Sequence, residues 1–297
     1  MKFISVKKYS EKWNISERTA RNYCSSKKIN GAYQDGGCWF IPEDADLPRR
    51  INENKNNNYL LKALRLEKKD GIKGRIYHRL QIDLTYNSNH IEGSKLTHDE
   101  TRYIFETRTI GIEDNSKVYK IDDIVETINH FECIDRVIDF CNYPLSERFI
   151  KELHKILKTG TSDSRKSYFA VGDYKKLENE VGDIQTTPPH MVKLEINKLI
   201  NNYNKKEKHT FDEILDFHVK FERIHPFQDG NGRIGRLIIF KECLKNNIVP
   251  FIITEELKMF YYRGLSKWDE QKGWLRDTCL TGQDIVKSYL DYFHIKY

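Results

Sequence analysis

Long hydrophobic runs are missing from this chain. No apolar stretch among its 297 residues approaches the ~18 residues that a membrane-spanning helix needs. Residues 1–7 also lack the apolar stretch and the small-residue cleavage site of a signal peptide. We therefore expect no membrane partner and a cytoplasmic location.

Cysteine motifs are missing as well. The six cysteines form no Cys-x-x-Cys pair, which argues against a zinc knuckle and favours reduced, buried thiols. They lie at positions 24, 38, 133, 141, 243 and 279. Disordered chains have few aromatic residues, whereas this sequence holds 17 Tyr and 15 Phe. The chain should fold around a conventional core.

An excess of positive charge is found only at the start of the chain. Residues 1–34 hold eight Lys or Arg against two Glu, an excess of six that equals the net charge of +6 of the whole sequence. A basic segment beside a neutral remainder suggests an acidic partner, with nucleic acid as the first candidate.

The apolar residues predict two domains. Residues 48–58 are polar, end in three consecutive asparagines and are interpreted as a linker. They separate residues 1–47 from residues 59–297, where apolar side chains recur at helical spacing. The larger domain is therefore predicted to be mainly α.

Residues 1–47 have the pattern of a small DNA-binding domain. Ser5 can cap a helix that runs to Trp13, Ser16 can cap a second helix, and residues 36–37 form a glycine turn between two β-prone runs. The pattern resembles the winged helix-turn-helix domains of excisionase-like and MerR-like proteins.

That resemblance implies double-stranded DNA as a partner of residues 1–47. Base edges would be contacted by three residues of the second helix, Arg18, Arg21 and Asn22. Phosphates would be contacted by four lysines, Lys7, Lys8, Lys27 and Lys28. The alternative is a basic face that is merely solvated, or one that docks a protein.

Residues 225–236 carry the strongest chemical signal in the sequence. Apolar residues at helical spacing lead up to His225, and Pro226 ends that helix. The run Gly230-Asn231-Gly232 lets consecutive backbone N–H groups point at an anion where a second helix begins. This segment therefore predicts a phosphate cradle beside a histidine.

Charged residues complete that cradle. Arg233 and Arg236 are three residues apart, so their guanidinium groups can project from one helix face and hold phosphates. Asp229 is a hard oxygen ligand suited to Mg²⁺. With His225 as a base, these residues predict phosphoryl or nucleotidyl transfer.

The order of these residues resembles the signature of the Fic family, His-Pro-Phe-x-Asp/Glu-Gly-Asn-Gly-Arg-x-x-Arg, and matches all of its fixed positions. The resemblance extends over residues 59–297. It implies a mainly α, Fic-type helical core with a short β-hairpin flap. It also implies a protein adenylyltransferase that uses ATP and Mg²⁺ to attach AMP to a Ser, Thr or Tyr hydroxyl of a target, either another protein or the protein itself.

The resemblance assigns a role to each residue of the motif. His225 takes the proton from the target hydroxyl, whose oxygen attacks the α-phosphate, and Asp229 holds Mg²⁺ between the α- and β-phosphates. The α-phosphate is steadied by Asn231 and by the amides of Gly230 and Gly232. The outer phosphates are held by Arg233 and Arg236.

A second motif lies upstream, at residues 88–93. Ser88 and Glu92 are four residues apart and share a helix face, and Gly93 can end the helix. The motif resembles the inhibitory Ser/Thr-x-x-x-Glu-Gly/Asn helix of Fic proteins, which implies an inhibitory helix over residues 86–93. By that resemblance Glu92 pairs with Arg236 where the γ-phosphate would bind. The alternatives are an exposed helix residue, or a glutamate that positions water for AMP removal.

Two further assignments follow from the resemblance. Residues 177–184 occupy the position of the flap, where the target would add as a strand beside Leu177, Val181 and Ile184. Tyr261 and Tyr262 would line the adenine pocket, although aromatic residues on a helix also suit a core. Aromatic residues between positions 261 and 276 also suit a homodimer surface.

The leading hypothesis is a protein adenylyltransferase restrained by Glu92. Its chemical rivals are a deAMPylase and a transferase that uses another nucleotide, because the motif specifies phosphates better than the base. A rival of another class is a DNA-binding regulator whose Fic core only senses a nucleotide. The intact His225 argues against a pure sensor, which has no need of a base.

Overall fold

The computed structural model describes residues 2–13, 15–25, 29–46, 58–110, 118–181 and 184–297, without the side chains of residues 181, 184 and 185. The chain divides into two compact units, residues 1–57 and 58–297. The predicted linker 48–58 lies outside the described residues except for its last position. Asn58 belongs to the second unit, because its side chain accepts from the N–H of Leu61 at 2.9 Å and caps a helix.

The first unit combines two helices with a small sheet. Its elements are β1 (Phe3–Ser5), α1 (Val6–Trp13), α2 (Glu17–Ser25), β2 (Tyr33–Asp35) and β3 (Cys38–Pro42). The strands are antiparallel in the order β1-β3-β2. Both expected caps form, since Ser5 accepts from the N–H of Lys8 and Ser16 from that of Thr19. The unit encloses a core of Val6, Tyr9, Ala20, Cys24, Ile29 and Ile41.

The second unit is helical, as the apolar spacing predicts. Its helices are α3 (Tyr59–Asp70), α4 (Ile76–Ile91), α5 (His98–Thr107), α6 (Ile121–Phe140), α7 (Glu147–Lys158), α8 (Pro189–Tyr203), α9 (Phe211–Ile224), α10 (Asn231–Lys245), α11 (Glu255–Ser266) and α12 (Lys272–Tyr292). A 3-10 turn covers Asp163–Arg165. None of the helices in the described part of the chain is long and apolar enough to cross a membrane.

The expected hairpin flap lies between α7 and α8. Its strands β4 (Glu180–Val181) and β5 (Ile184–Gln185) are antiparallel, with Glu180 opposite Gln185 and Val181 opposite Ile184. Leu177, the first residue of the segment assigned to the flap, precedes β4 and is exposed.

Helix α10 forms the centre of the second unit. It is buried on almost every side and packs against α4, α6, α7 and α9. Helix α7 shows why the surrounding helices pack this way, because its apolar residues recur along one stripe that faces the core: Phe149, Ile150, Leu153 and Leu157. The start of α10 is thereby held among the ends of several helices, and this is where the predicted chemical residues lie.

Candidate active site

His225 follows α9 at a sharp change of backbone direction. Its backbone is left-handed (φ 51°, ψ 62°), and its N–H donates to the carbonyl of Phe221 at 3.0 Å. This conformation is uncommon for a residue with a side chain and is maintained here by the surrounding fold. The next residue, Pro226, cannot continue the helix. The imidazole is therefore held at a rigid helix end, as the sequence predicts.

The imidazole of His225 is arranged as a base. Its Nδ1 donates to the carbonyl oxygen of Glu222 at 3.3 Å, which leaves the lone pair on Nε2. Burial and the neighbouring charge of Lys175 lower the pKa of His225 below its usual value. The ring is therefore neutral at pH 7, and Nε2 is able to accept a proton.

The loop after His225 is braced from below by His154 of α7. The imidazole of His154 stacks on the ring of Phe227 with centroids 3.9 Å apart. Its Nε2 donates to the carbonyl of Asp229 at 3.2 Å, and its Nδ1 accepts from the N–H of Gly172 at 2.9 Å. Burial lowers the pKa of His154 to about 4, so this imidazole is neutral and serves the loop structurally.

Asn231 also braces the loop through its side chain. Its Oδ1 accepts from the N–H of Phe227 and its Nδ2 donates to the carbonyl of Phe227, both at 2.8 Å. The side chain is 1% exposed. The side chain therefore fixes the loop through one bond at each polar atom, and its expected role at the α-phosphate stays a prediction.

Gly230 and Gly232 shape the start of α10. Gly230 is left-handed (φ 84°) and occupies the N-cap position, where a side chain would be strained. A Cβ on Gly232 would collide with Oε1 of Glu92 and come within 3.0 Å of Nη1 of Arg236. The backbone N–H groups at this helix start form a positive end that suits an anion.

The carboxylate of Glu92 lies beside Gly232, near this helix start. Glu92 follows the last residue of α4, and the left-handed Gly93 (φ 96°) turns the chain away. Nη2 of Arg236 donates to Oε1 of Glu92 at 2.7 Å and to the carbonyl of Ser88 at 2.9 Å, while Nε donates to Oγ of Ser88 at 3.0 Å. The motif at residues 88–93 and Arg236 thus meet, as the sequence analysis expects.

Arg233 lies in a different environment from Arg236. Its Nη1 donates to Oε2 of Glu126, and its Nη2 donates to Oδ2 of Asp229 at 3.1 Å. The side chain is 6% exposed. Arg233 is therefore a buried partner of two carboxylates, and its expected role toward the outer phosphates stays a prediction.

Lys158 at the end of α7 joins the same carboxylates. Its ammonium donates to Oε1 of Glu126 at 2.5 Å, to Oδ2 of Asp163 at 2.7 Å and to Oδ2 of Asp229 at 2.7 Å. Glu126, Lys158, Asp229 and Arg233 thus form a closed circuit of alternating charges, which we call the charge ring.

Asp229 fits the role of a metal ligand. Its Oδ2 is held by Lys158 and Arg233, whereas Oδ1 receives no hydrogen bond from a described side chain. The backbone N–H of Gly230 also donates to this carboxylate. Burial opposes ionisation of this carboxyl, but Arg233 and Lys158 lower its pKa to about 2. Asp229 is therefore ionised at neutral pH and offers a hard oxygen of the kind that Mg²⁺ prefers.

Tyr261 does not line a pocket, contrary to one of the two expectations for it. It is 1% exposed, packs in a core with Ile91 and Leu275, and its hydroxyl lies 2.5 Å from Nε2 of His218. Tyr262 is 40% exposed, and burial together with the charge of Glu92 raises its pKa to about 12. Only Tyr262 of this pair reaches the surface, and its place in an adenine pocket stays a prediction.

The predicted dimer surface is corrected in one position. Trp268 is 2% exposed and its indole N–H donates to Asp216 at 3.1 Å, so it is a core residue. Trp274 is 39% exposed, and the guanidinium of Arg263 lies 4.6 Å from its ring centroid. The homodimer itself stays a prediction.

The flap is connected through Lys175 to the loop that follows His225. Its N–H donates to the carbonyl of Pro226 at 2.9 Å, and its buried ammonium donates to Asn179 and Thr186, both at 2.5 Å. Asn179 in turn donates to the carbonyl of Phe227 at 3.0 Å. The hairpin and the loop that follows His225 therefore share one hydrogen-bond network.

Leu177 is joined to the same loop as well, since its N–H donates to Oε1 of Gln228 at 3.2 Å. The other two residues assigned to the flap, Val181 and Ile184, are opposite each other in the hairpin, but their side chains lie outside the described residues. Their role in docking a target stays a prediction.

In the first unit, Arg18, Arg21 and Asn22 lie on α2 and are exposed. Their spacing places them on one face of the helix. Arg21 forms an ion pair with Glu17 at 2.8 Å. Lys27 and Lys28 lie outside the described residues, so their expected phosphate contacts have no structural counterpart here.

Four residues of the site were missed by the sequence analysis: Glu126, His154, Lys158 and Asp163. A signal for two of them was present. His154 and Lys158 are four residues apart and fall on the apolar stripe of α7, where a lysine requires a buried partner. Glu126 and Asp163 carry no such signal, since they lie on other elements and meet Lys158 only in the folded chain.

Comparison with known proteins agrees with this geometry. Residues 144–242 match the family model of the Fic/DOC family. The chain is 27% identical over 214 residues to the protein adenylyltransferase Fic of Drosophila sechellia, covering 70% of this chain and 39% of that protein. It is 24% identical over 238 residues to the protein adenylyltransferase Fic of Nematostella vectensis, covering 75% of this chain and 50% of that protein. The chain thus spans half or less of the length of these curated relatives.

The fold has solved counterparts as well. A Fic domain containing signaling protein from Bacteroides thetaiotaomicron has a TM-score of 0.58 and 23% sequence identity, covering 80% of this chain and 91% of that chain. This similarity confirms the mainly α, Fic-type fold predicted from the sequence. The range matched by the family model contains the whole motif from His225 to Arg236.

Proposed function

We propose that this protein is an adenylyltransferase that transfers AMP from ATP to a Ser, Thr or Tyr hydroxyl of a target protein and is restrained by Glu92. One observation carries the proposal. The carboxylate of Glu92 lies beside Gly232 near the start of α10 and is bound to Arg236. Its charge acts on His225, a neutral histidine whose Nε2 receives no hydrogen bond from the described residues. The names of the curated relatives support the same reaction class.

In this proposal His225 is the base. Its Nε2 accepts the proton of the target hydroxyl, while the bond from Nδ1 to the carbonyl of Glu222 stabilises the imidazolium that forms. The hydroxyl oxygen bonds to the α-phosphorus, and the bond from that phosphorus to the leaving oxygen breaks, which releases pyrophosphate. The backbone N–H groups at the start of α10 hold phosphate oxygens.

Asp229 would hold Mg²⁺ through Oδ1, the oxygen that no described side chain occupies. When bound, the metal neutralises charge on the phosphates of the nucleotide. Lys175 and Asn179 connect the flap to the loop of His225. A target strand added to the flap would therefore place its hydroxyl relative to the base.

Glu92 would restrain the reaction by acting in place of a phosphate. A carboxylate and a phosphate oxygen compete for the same donors, namely Arg236 and the helix start. Release of Glu92 frees Arg236 for the nucleotide. While Glu92 remains bound to Arg236, its carboxylate is suited to orient a water that removes AMP from a modified target. AMP removal is thus the second reaction that the site permits.

Intact-mass spectrometry of the full chain tests the proposal. Glu92→Gly and Glu92→Gly with His225→Ala are each incubated with ATP and Mg²⁺, alone and with a cell extract from which modified proteins are identified. We expect an increase of one AMP mass, or its multiples, only when His225 is intact. The absence of AMP transfer to the chain and to every extract protein contradicts the adenylyltransferase proposal.

Further arms of the experiment separate the rivals. Incubation with GTP, CTP and UTP detects a transferase that prefers another nucleotide. An AMP-modified target incubated with the unmutated chain detects AMP removal. Binding of ATP without transfer or removal, at an intact His225, would favour the nucleotide sensor.

A second function is proposed for residues 1–47, namely binding of double-stranded DNA. The observation that favours it is the exposed face of α2, on which Arg18, Arg21 and Asn22 lie. We expect the full chain to bind random duplex DNA more weakly as salt increases. Arg18→Ala with Arg21→Ala should reduce binding at least about tenfold, whereas Lys198→Ala on α8 should not. Binding that is equal in both variants would favour a protein-docking module.

A further inference from the structure

Lys158 is almost completely enclosed by carboxylates. Its side chain is 2% exposed, and its three N–H donors are used by three different acids, Glu126, Asp163 and Asp229. Carboxylate oxygens of these acids lie within 4.8 Å of one another, a spacing that also suits a divalent cation. The ammonium thus occupies the centre of a cluster that would otherwise attract a metal.

The connections around Lys158 are not those of an ordinary buried ion pair. Glu126 gives one oxygen to Lys158 and the other to Arg233, and Oδ2 of Asp229 accepts from both cations. Each member of the charge ring is therefore held from two sides. Rotation of the Asp229 carboxylate would break two charge-assisted bonds at once.

We propose that Lys158 is a positioning residue for Asp229, which fills the carboxylate cluster as an internal cation and leaves only Oδ1 of Asp229 for the metal that accompanies the nucleotide. This inference rests on the proposed function, in which that metal is bound with ATP. Without Lys158, a divalent cation could enter among Glu126, Asp163 and Asp229 and be held away from the phosphates. Lys158 thus decides where the metal binds as well as how the loop is held.

A purely structural role for Lys158 makes a different prediction. Breaking a buried charge pair lowers stability in either case, so loss of stability does not distinguish the two roles. The location of a bound metal distinguishes the two roles, because a purely structural lysine leaves the metal preference of the folded protein unchanged. Binding of Mn²⁺ without nucleotide is therefore the decisive measurement, and it needs no turnover.

The experiment compares Lys158→Met with Lys166→Met in the full chain. Lys166 is a matched control, since it also pairs with Asp163 at 2.7 Å but is 45% exposed and lies outside the charge ring. Mn²⁺ binding in the absence of nucleotide is measured by titration calorimetry and by the thermal midpoint. We expect Lys158→Met to bind Mn²⁺ at least about tenfold more tightly than the unmutated chain and Lys166→Met. Adding Asp163→Asn to Lys158→Met should remove that gain.

The second measurement places both substitutions in the Glu92→Gly background. The Mg²⁺ concentration for half-maximal AMP transfer should rise at least about fivefold with Lys158→Met and stay within about twofold with Lys166→Met. If Lys158→Met does not fold, Lys158→Arg decides, because a planar guanidinium cannot place a point charge among three carboxylates. A rise in its Mg²⁺ requirement, with metal-free ATP binding unchanged, supports the inference.

Equal Mn²⁺ binding by the unmutated chain and Lys158→Met, or an unchanged Mg²⁺ requirement in Lys158→Arg, overturns the inference. Failure of the proposed function gives a different result. In that case Glu92→Gly with intact Lys158 transfers no AMP, while the nucleotide-free Mn²⁺ measurement still reports on the cluster.

Discussion

Oε1 of Glu92 lies 2.7 Å from Nη2 of Arg236, although the two residues are 144 positions apart in the chain. Gly232 leaves the space that the carboxylate fills, because a Cβ at that position would collide with it. The end of α4 and the start of α10 are thereby joined through one ion pair at the place where an anion is best held. In the proposed function, this ion pair joins Glu92, which restrains the reaction, to Arg236, which binds the nucleotide.

The charge of Glu92 should matter for restraint. Glu92→Gln keeps the shape of the side chain and removes the charge that holds Arg236, so AMP transfer should rise at least about fivefold. Initial rates of transfer at saturating ATP and Mg²⁺ are the measurement. Glu152→Gln is the matched control, because Glu152 forms a comparable half-buried ion pair with Arg136 away from the site. Equal rates in the two variants would argue against restraint by charge.

The acid limb of the pH–rate profile should lie below pH 6.5. The pKa of His225 is lowered by burial and by Lys175, and raised in part by the carbonyl of Glu222 and the charges of Glu92 and Asp229. A lowered pKa keeps the base neutral to lower pH, so activity is lost only as the pH falls through that value. Rates of the Glu92→Gly variant between pH 5 and 8 give this limb.

Substitution of Lys175 tests how its charge affects the pKa of His225. Lys175→Met removes a positive charge beside His225, so the pKa of the histidine and the acid limb should move to higher pH. Lys175→Arg keeps the charge and should leave the limb near its original position. A limb that moves equally in both variants would show that the hydrogen bonds of Lys175, rather than its charge, set the profile.

Glu222 should make stability fall as pH rises. Burial raises the pKa of this carboxyl to about 8, with Arg236 opposing and Glu92 adding to the shift. The folded chain therefore binds a proton that the unfolded chain releases from about pH 4.5 upward, and this contribution is lost as the pH rises through about 8. Thermal midpoints of Glu222→Gln between pH 5 and 9 should fall less steeply than those of the unmutated chain. Glu207→Gln, at an exposed position, should leave the slope unchanged.

Substitution of two helical glycines by alanine should change the free energy of unfolding in opposite directions. A Cβ at Gly235 would lie 2.8 Å from Cε1 of His218 and collide with Glu222, so Gly235→Ala should lower the free energy of unfolding by about 1–3 kcal/mol. A Cβ at Gly273 in α12 meets no described atom within 4 Å, so Gly273→Ala should raise it by about 0.5–1 kcal/mol. Urea unfolding of the full chain measures both, and destabilisation by Gly273→Ala would contradict this packing.

Much of the site was predictable because it is local in sequence. The end of α9 at His225, the glycine turn and the start of α10 follow from proline, glycine and helical spacing within twelve residues. The pair of Glu92 and Arg236 was predicted through the resemblance to the family, and the structure brings the two side chains together.

Packing decides the direction of several side chains that spacing leaves open. Asn231 turns back to the backbone of Phe227, Arg233 pairs with Glu126 and Asp229, and Trp268 lies in the core rather than on the expected surface. Each of these directions depends on which neighbour satisfies a buried polar group. Tyr261 also lies in the core, which is one of the two placements that the sequence suggested.

The sequence by itself determined the helical class, the chemistry of residues 225–236 and the capped ends that present it, because these depend on short-range geometry and on the family motif. Only the tertiary structure decided that Lys158 completes the charge ring. Glu126, Lys158 and Asp229 come from α6, the end of α7 and the loop before α10, and they meet when the apolar faces of those helices pack. Once enclosed there, each charge must find an opposite charge, because burial without a partner is costly.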